Sequence, residues 1–417
     1  MTVHGSLLTG WPPEPLKVDV KQVVVCVTSD RRDGRMKIAV LGGAGAMGMV
    51  TTKDLANSSV VSEIVLCDSN VEQAKEVASW VASDKLSIKR IDISNPDSLV
   101  DAVKDADVVA NATPYHFNLG VTKSVIRVGK DLTDLGGVYY MTLKQLKLDN
   151  VAREAGVTVV LGCGVAPGIA DVLAKYGADK LDRVEAVHIR YGEVNLTPAK
   201  YKWTFRTVLE EFTRGPVIYQ KGKFTKLPPF SGKHTIGFPE PVGKRSCCYA
   251  LYSGIATLPT TVDKGVQTVD CAMSYTEEDE QRIRILKEMG LTNTKPVDVE
   301  GVKISPREFL LQIAPPPDVK VKDAASIVVE VLGEKDGESV QGVYGLVYEY
   351  HEKYGVSALA YLTGVPLSIV SQMLARKDIP EKGVFPPEIA INPEAFIEEL
   401  GKRNIRIRET ITKTCAL

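Results

Sequence analysis

The stretch Lys37–Gly48, KIAVLGGAGAMG, most constrains what this chain can fold into. Its apolar beginning, Lys37–Leu41, predicts a buried β-strand running into a glycine turn and then a helix. The glycines fall as Gly43-x-Gly45-x-x-Gly48, the dinucleotide fingerprint. Gly43 allows the tight turn, Gly45 lets the backbone approach a pyrophosphate, and Gly48 lets the helix pack close to the strand. The N–H groups at the helix start, around Ala46 and Met47, then face the phosphates, whose charge the helix dipole favours. An acid stands at the matching distance. The next apolar run, Glu63–Asp68, ends in Asp68, twenty residues past Gly48. A carboxylate there accepts from the ribose hydroxyls of NAD and repels a 2′-phosphate. Ser69 and Asn70 follow without an arginine, so NAD is expected rather than NADP.

From Met36 onward strands and helices alternate. Helices at Ala46–Asn57, Val71–Ser83, Pro96–Lys104, Asn118–Val128 and Leu143–Ala155 separate strands at Glu63–Asp68, Leu86–Asp92, Asp107–Ala112, Asp131–Leu135 and Val157–Leu161. This alternation predicts an α/β fold, a doubly wound parallel sheet of the Rossmann type. Ligands of such a sheet lie beyond the carboxyl ends of the strands. The residues to watch are therefore Gly43–Met47, Asp68, Asp92, Ala112 to His116, Asp134 to Gly137 and Gly162 to Gly168. Among them Ala112, Thr113, Gly136, Val165 and Pro167 are expected to touch the cofactor.

After Gly168 the pattern changes. Val184–Tyr191 alternates like a half-buried strand, and Thr204–Thr213 reads as a helix. Hairpins are expected at Gly222, at Gly301 and, most strongly, at Asp336-Gly337. This predicts a second, α+β domain with a largely antiparallel sheet. Helices return at Ser357–Arg376 and Pro393–Arg403. The expected organisation is an N-terminal extension over 1–35, a nucleotide-binding domain over 36–165 with 355–417, and a substrate-binding and oligomerisation domain over 166–354.

The 417 residues carry a net charge of −1, which gives no footprint of a nucleic-acid or membrane-surface binder. No apolar run reaches the length of a membrane span on this reading. The seven cysteines are odd in number and lack CxxC spacing, so neither a disulfide framework nor a metal site is expected. A reducing, cytoplasmic setting fits.

Three stretches are more specific than a generic nucleotide fold: Asn111–Asn118 (NATPYHFN), Asp134–Gly137 (DLGG) and Gly162–Gly168 (GCGVAPG). With Ile304–Leu310, Ala358–Gly364 and Lys382–Glu388 they resemble the saccharopine dehydrogenase family, over Met36 to about Arg408. Within it the chain looks most like the L-lysine 6-dehydrogenases and the archaeal saccharopine-reductase-like proteins. The resemblance implies a nicotinamide cofactor, a homodimer or higher homo-oligomer, and oxidation of a carbon–nitrogen bond in a small amino acid. The expected reaction is oxidative deamination of L-lysine to allysine. Saccharopine cleavage or formation is the alternative, and a cofactor-binding sensor without turnover is a third possibility. The segment Tyr201–Arg206 resembles one whose arginine binds a substrate carboxylate.

Amine oxidation needs a group that takes a proton near neutral pH. His116 is the candidate by position, with backbone bonding in a loop as the plain alternative. Tyr115 orients substrate or packs. Asp134 pairs with a substrate ammonium or caps a turn. Arg206 suits bidentate grip of a carboxylate, with Lys202 one helical turn before it; a surface ion pair is the alternative. Glu193 faces an ammonium or stays solvated. Cys163 reads as a packing residue, because no basic neighbour activates it. Cys247-Cys248 have no assigned role.

Overall fold

The computed structural model describes residues 36–198, 205–315 and 320–414. The expected extension 1–35 and the site candidate Lys202 lie outside them. In β1 (Met36–Leu41) every residue from Ile38 onward is buried, as a central strand covered on both faces must be. Beside it run β2 (Val61–Asp68), β3 (Leu86–Arg90), β4 (Val108–Asn111), β5 (Asp131–Asp134) and β6 (Thr158–Val160), all parallel, in the order β6-β5-β4-β1-β2-β3. The order reverses between β1 and β4. A doubly wound sheet opens its ligand crevice at such a reversal, and the glycine turn after β1 stands there.

The second sheet has nine strands. It is built from β7 (Arg183–Asn195), β8 (Val217–Gln220), β9 (Lys223–Lys226), β10 (His234–Gly237), β11 (Lys244–Tyr249) and β12 (Thr268–Ser274). A separate hairpin, β13 (Val297–Val299) with β14 (Val302–Ile304), precedes the long pair β15 (Asp323–Lys335) and β16 (Glu338–Glu349). The turn between β15 and β16 has Asp336 at φ 53° and Gly337 at φ 79°. Positive φ at both central residues is what a twist-matched two-residue hairpin requires, and Asp-Gly supplies it.

Two late strands close the chain onto both sheets. β17 (Gly383–Phe385) adds to the parallel sheet outside β6, and β18 (Arg408–Thr414) pairs with β16 in the second sheet. The sequence assigns the whole tail, 355–417, to the nucleotide-binding part; its last strand instead pairs in the second sheet. The second sheet runs β10-β11-β12-β7-β15-β16-β18, with β8 joined to β12, and only β7 and β12 pair in parallel.

Between the sheets lies the helix Ala358–Arg376, buried through Leu374. Ser357 caps it, accepting from Ala360 N at 3.1 Å, and Asp323 accepts from Ala358 N at 2.6 Å. It crosses the fingerprint helix closely: Thr51 Oγ1 donates to Gly364 O at 2.8 Å, and a Cβ on Gly364 would meet Met47 O at 2.6 Å. By length and composition this helix does pass as a membrane span, contrary to the reading above, yet 89% of its apolar window is buried inside the fold. The principal core joins Ile38 and Val40 of β1, Leu362 of this helix, and Ile189 and Val329 of the second sheet. The single helix predicted over Leu143–Ala155 is two, Tyr139–Leu146 and Asp149–Glu154. Asp149 accepts from Val384 N at 2.8 Å, so the second start serves to hold β17.

Candidate active site

The glycine turn is pinned from behind. Gly42 N and Gly43 N both donate to Cys67 O of β2, at 2.8 and 3.2 Å. A Cβ on Gly43 would meet Leu66 Cγ at 2.8 Å, and one on Gly48 would meet Gly42 O at 2.1 Å. These two glycines shape the turn from within. The surface facing outward is made by Gly45, Ala46 and Met47, which line a cavity of about 1200 Å³. Asp68 lines it as well. Its Oδ2 accepts from Ala44 N at 3.1 Å and its Oδ1 from Asn70 N at 3.0 Å, which fixes the carboxylate at the end of β2. Asp92 joins the wall after β3 and is held low by hydrogen bonds from Ser94.

The ends of β4, β5 and β6 make the next section of wall: Ala112, Thr113, Tyr115, Gly136, Val165 and Pro167. A polar network sets their loops. Thr113 N and Oγ1 donate to Asn111 Oδ1 at 3.1 and 2.6 Å, Asn111 bonds Asn118 at 3.1 Å, and Asn118 Nδ2 donates to Gly136 O at 2.8 Å. Asp134 takes part from beneath. Its Oδ1 accepts from Gly136 N and Gly162 N, at 2.7 and 2.9 Å, and its Oδ2 from Gln145 Nε2 at 2.7 Å. It is fully buried and does not line the cavity. Asp134 is thus placed beneath the wall, where its carboxylate satisfies the backbone N–H groups of Gly136 and Gly162. Cys163, buried beside it, has its thiol pushed up by burial and is a packing residue.

Tyr115, His116 and Phe117 form one short turn, and only the two flanking rings line the cavity. His116 stacks on Phe117 with ring centroids 4.1 Å apart. Burial, then the charge of Arg206, lowers its pKa, which favours the neutral imidazole. Arg206 is engaged by Glu308 through two bonds, Nη1 to Oε1 at 3.0 Å and Nη2 to Oε2 at 2.6 Å. It does not line the cavity either. His116 and Arg206 are thus brought together with each other but not with the cofactor turn. The plain alternatives, a packed loop histidine and an ion pair, describe them.

The far wall comes from the second sheet and from the helix Phe205–Thr213. Glu193 lines it and accepts from Tyr191 Oη at 2.9 Å. Glu211, which the sequence does not single out, lies near it; burial and then the charge of Glu193 push its carboxyl up to about 8. Arg245 and Arg282 line the same cavity, and the buried Nε of Arg245 has no hydrogen-bond partner. Arg282 pairs with Glu278 and Asp279. A cavity flanked by one wall that can hold a dinucleotide and another bearing both carboxylates and guanidiniums suits a zwitterionic amine. No cluster of potential metal ligands occurs among the described residues.

Local sequence gives no signal for Glu211, which sits beside the buried Glu210 and Phe212 on the helix Phe205–Thr213. Arg90 was missed for another reason. It is the last residue of β3 and the register partner of Asp68. With Ser69 and Asp92 it lines a smaller cavity of about 390 Å³ next to the ribose end. Local sequence around Asp68 shows no arginine; the neighbouring strand brings one.

Comparison with known proteins agrees with this layout. Residues 38–160 match the model of the saccharopine dehydrogenase NADP binding domain, and residues 164–405 that of the saccharopine dehydrogenase C-terminal domain. Carboxyaminopropylagmatine dehydrogenase of a Synechocystis species is 25% identical over 406 residues, covering 90% of this chain and 98% of that protein. Carboxynorspermidine synthase of Vibrio cholerae is 22% identical over 399 residues, covering 88% and 94%. The solved apo saccharopine dehydrogenase (L-Glu forming) of Saccharomyces cerevisiae has the same fold, with a TM-score of 0.69 at 18% identity over 90% of this chain and 100% of that one.

Proposed function

Since the chain belongs to the saccharopine dehydrogenase family and is an oxidoreductase of carbon–nitrogen bonds, we propose that its substrate is a secondary amine joining a carboxylated arm to a cationic one. The observation that carries this reading is the far wall, where Glu193 and Glu211 stand in one cavity with Arg245, whose Nε has no hydrogen-bond partner. The names of the two relatives describe such compounds: a carboxyaminopropyl group on agmatine, and a carboxylated norspermidine. Arg245 takes the carboxylate by charge-assisted hydrogen bonds. The two glutamates take the ammonium or guanidinium end. Saccharopine, with three carboxylates, would meet this acidic wall unfavourably.

The cofactor is a nicotinamide dinucleotide. The backbone N–H groups of Ala46 and Met47 at the helix start suit its pyrophosphate, while those of Gly42, Gly43, Ala44 and Gly45 are bonded within the fold and shape the turn. Asp68 suits the ribose hydroxyls, which favours NAD; Arg90 and Ser69 are the groups a 2′-phosphate would use. When bound, the nicotinamide supplies a two-electron acceptor for the carbon next to the amine. The chain itself has to hold that carbon at the ends of β4 to β6, between Tyr115 and the Gly164–Pro167 loop, and to take the ammonium proton first.

Oxidative deamination of L-lysine is the second reading. One guanidinium suffices for its single carboxylate, and Glu193 suits its α-ammonium. The deciding experiment offers carboxyaminopropylagmatine, carboxynorspermidine, saccharopine and L-lysine to the purified chain with NAD or NADP, following cofactor reduction. Reduction with either of the first two supports the proposal. Reduction with lysine and release of ammonia transfers the assignment to the second reading. Reduction with saccharopine alone overturns both.

A further inference from the structure

A buried path leads away from the cavity at Tyr252. The ring lines the cavity in the stretch that also includes Ser253 and Cys271, on the side of the Gly164–Pro167 loop. Its hydroxyl donates to Asp171 Oδ2 at 2.6 Å. The phenol proton is thus committed to the protein interior, while the oxygen keeps its capacity to accept from a ligand. Asp171 belongs to the first turn of the helix Ile169–Asp179, directly after the loop that ends β6, and is fully buried. Its Oδ2 also accepts from Gly168 N at 2.8 Å. Glu388, on the short helix Pro387–Ala390 packed against the same helix, is buried too and accepts from Thr261 Oγ1 at 3.0 Å.

Asp171 Oδ1 and Glu388 Oε2 are both buried without a hydrogen-bond partner. No basic side chain among the described residues lowers either carboxyl. Burial raises both, and the charge of Asp171 adds to the effect on Glu388. The other titratable groups facing them are the thiols of Cys163 and Cys271 and the phenol of Tyr252, all pushed up by burial and neutral. Two buried carboxylates without a cation cannot both stay ionised cheaply; one proton held by the pair removes one charge and turns one orphaned acceptor into a donor. Asp171 Oδ2 caps the start of its helix and Glu388 Oε1 holds Thr261, but neither bond occupies the second oxygen of its carboxyl. A cavity-facing phenol in front of a carboxyl pair with one proton to give or take is an acid–base device.

We propose that Tyr252, Asp171 and Glu388 form the proton relay of the reaction, with Tyr252 touching the substrate nitrogen and the carboxyl pair acting through it. The step rests on the amine substrate proposed above. A secondary ammonium gives its proton to the Tyr252 oxygen as the former Tyr252 proton passes to Asp171. One N–H bond breaks and one phenolic O–H bond is exchanged. The amine becomes neutral, the carboxyl pair loses one negative charge, and no electrons move. Only then does the nitrogen have the lone pair needed for C=N formation, with two electrons and the C–H hydrogen going to the nicotinamide. In the reverse direction the relay returns the proton.

The test has two arms on the full chain. Infrared spectroscopy of the enzyme without substrate should show the carbonyl band of a protonated carboxyl at neutral pH, lost or shifted in Glu388→Gln. Two ionised carboxylates at neutral pH would overturn the relay. In the kinetic arm, Tyr252→Phe should lower kcat by about 10²-fold or more, with KM and the dinucleotide Kd unchanged. Glu388→Gln keeps this neighbour of Asp171 neutral at every pH, so the change that ionisation of Glu388 brings to the pH profile at about 8 should be absent. A Tyr252→Phe enzyme with wild-type kcat and pH profile would also overturn it. Silence with every amine tested would fail the substrate assignment alone, because the infrared band decides the carboxyl pair without turnover.

Discussion

Asp68 and Arg90 stand opposite each other in register at the ends of β2 and β3, the one in the wall of the main cavity and the other in the small cavity beside it. A carboxylate that would repel a 2′-phosphate and a guanidinium that would bind one are therefore neighbours. Which cofactor is used depends on which of them reaches the ribose.

Asp68→Ser should weaken NAD binding by about 2 kcal/mol, roughly thirtyfold in Kd, and raise the use of NADP. Adding Arg90→Ala should remove the gained NADP use without restoring NAD. Dissociation constants from fluorescence titration check both. Unchanged preference in Asp68→Ser would take Asp68 out of the ribose site.

Glu211 should make substrate binding depend on pH. Its carboxyl, raised to about 8, is neutral below that pH in the free enzyme and charged above it. KM for a cationic amine is expected to fall as pH rises through this range, and Glu211→Gln should abolish the dependence. Stability carries the opposite sign. The folded state holds a proton that the unfolded carboxyl, near 4.5, releases, so stability is lost as pH climbs from 4.5 to about 8 and is flat above. Thermal unfolding of Glu211→Gln against pH should lack that slope.

Asp134→Ala should act on stability. It leaves the buried N–H of Gly162 and the half-buried N–H of Gly136 without acceptors, at a cost of about 3 kcal/mol. Denaturant unfolding measures this directly. A variant as stable as wild type but with kcat abolished would return Asp134 to the chemistry.

His116→Ala should lower kcat by less than about tenfold, against the 10²–10⁴ typical of a lost general base. The ring is turned onto Phe117 and Arg206 is held by Glu308, so neither needs the substrate for partnership. A larger loss with an altered pH profile would mean that the turn at Tyr115–Phe117 reorients when substrate binds.

Much of the nucleotide-binding half was legible because its signals are local. Gly43, Gly45 and Gly48 declare themselves by spacing, and Ala112, Thr113, Gly136, Val165 and Pro167 by following apolar runs. The hairpin at Asp336-Gly337 was legible for the same reason, since two residues hold the whole turn. His116, Asp134 and Arg206 show where such inference stops. Their chemical types fit a site, but the direction of each side chain is settled by partners on other elements, such as Gln145 for Asp134 and the distant Glu308 for Arg206.

By itself, the sequence determined the alternating parallel sheet, the glycine turn and the acid that follows it, because hydrophobic period and glycine geometry act over a few residues. Tertiary structure decided what shares a cavity. The parallel pairing of β7 with β12 and the packing of the interior helix set Glu193, Glu211, Arg245 and Tyr252 around one space. Closure of the tail onto the helix Ile169–Asp179 put Glu388 behind Asp171. Burial and proximity of charge give these groups their acid–base character, and both arise only when segments distant in sequence are packed together.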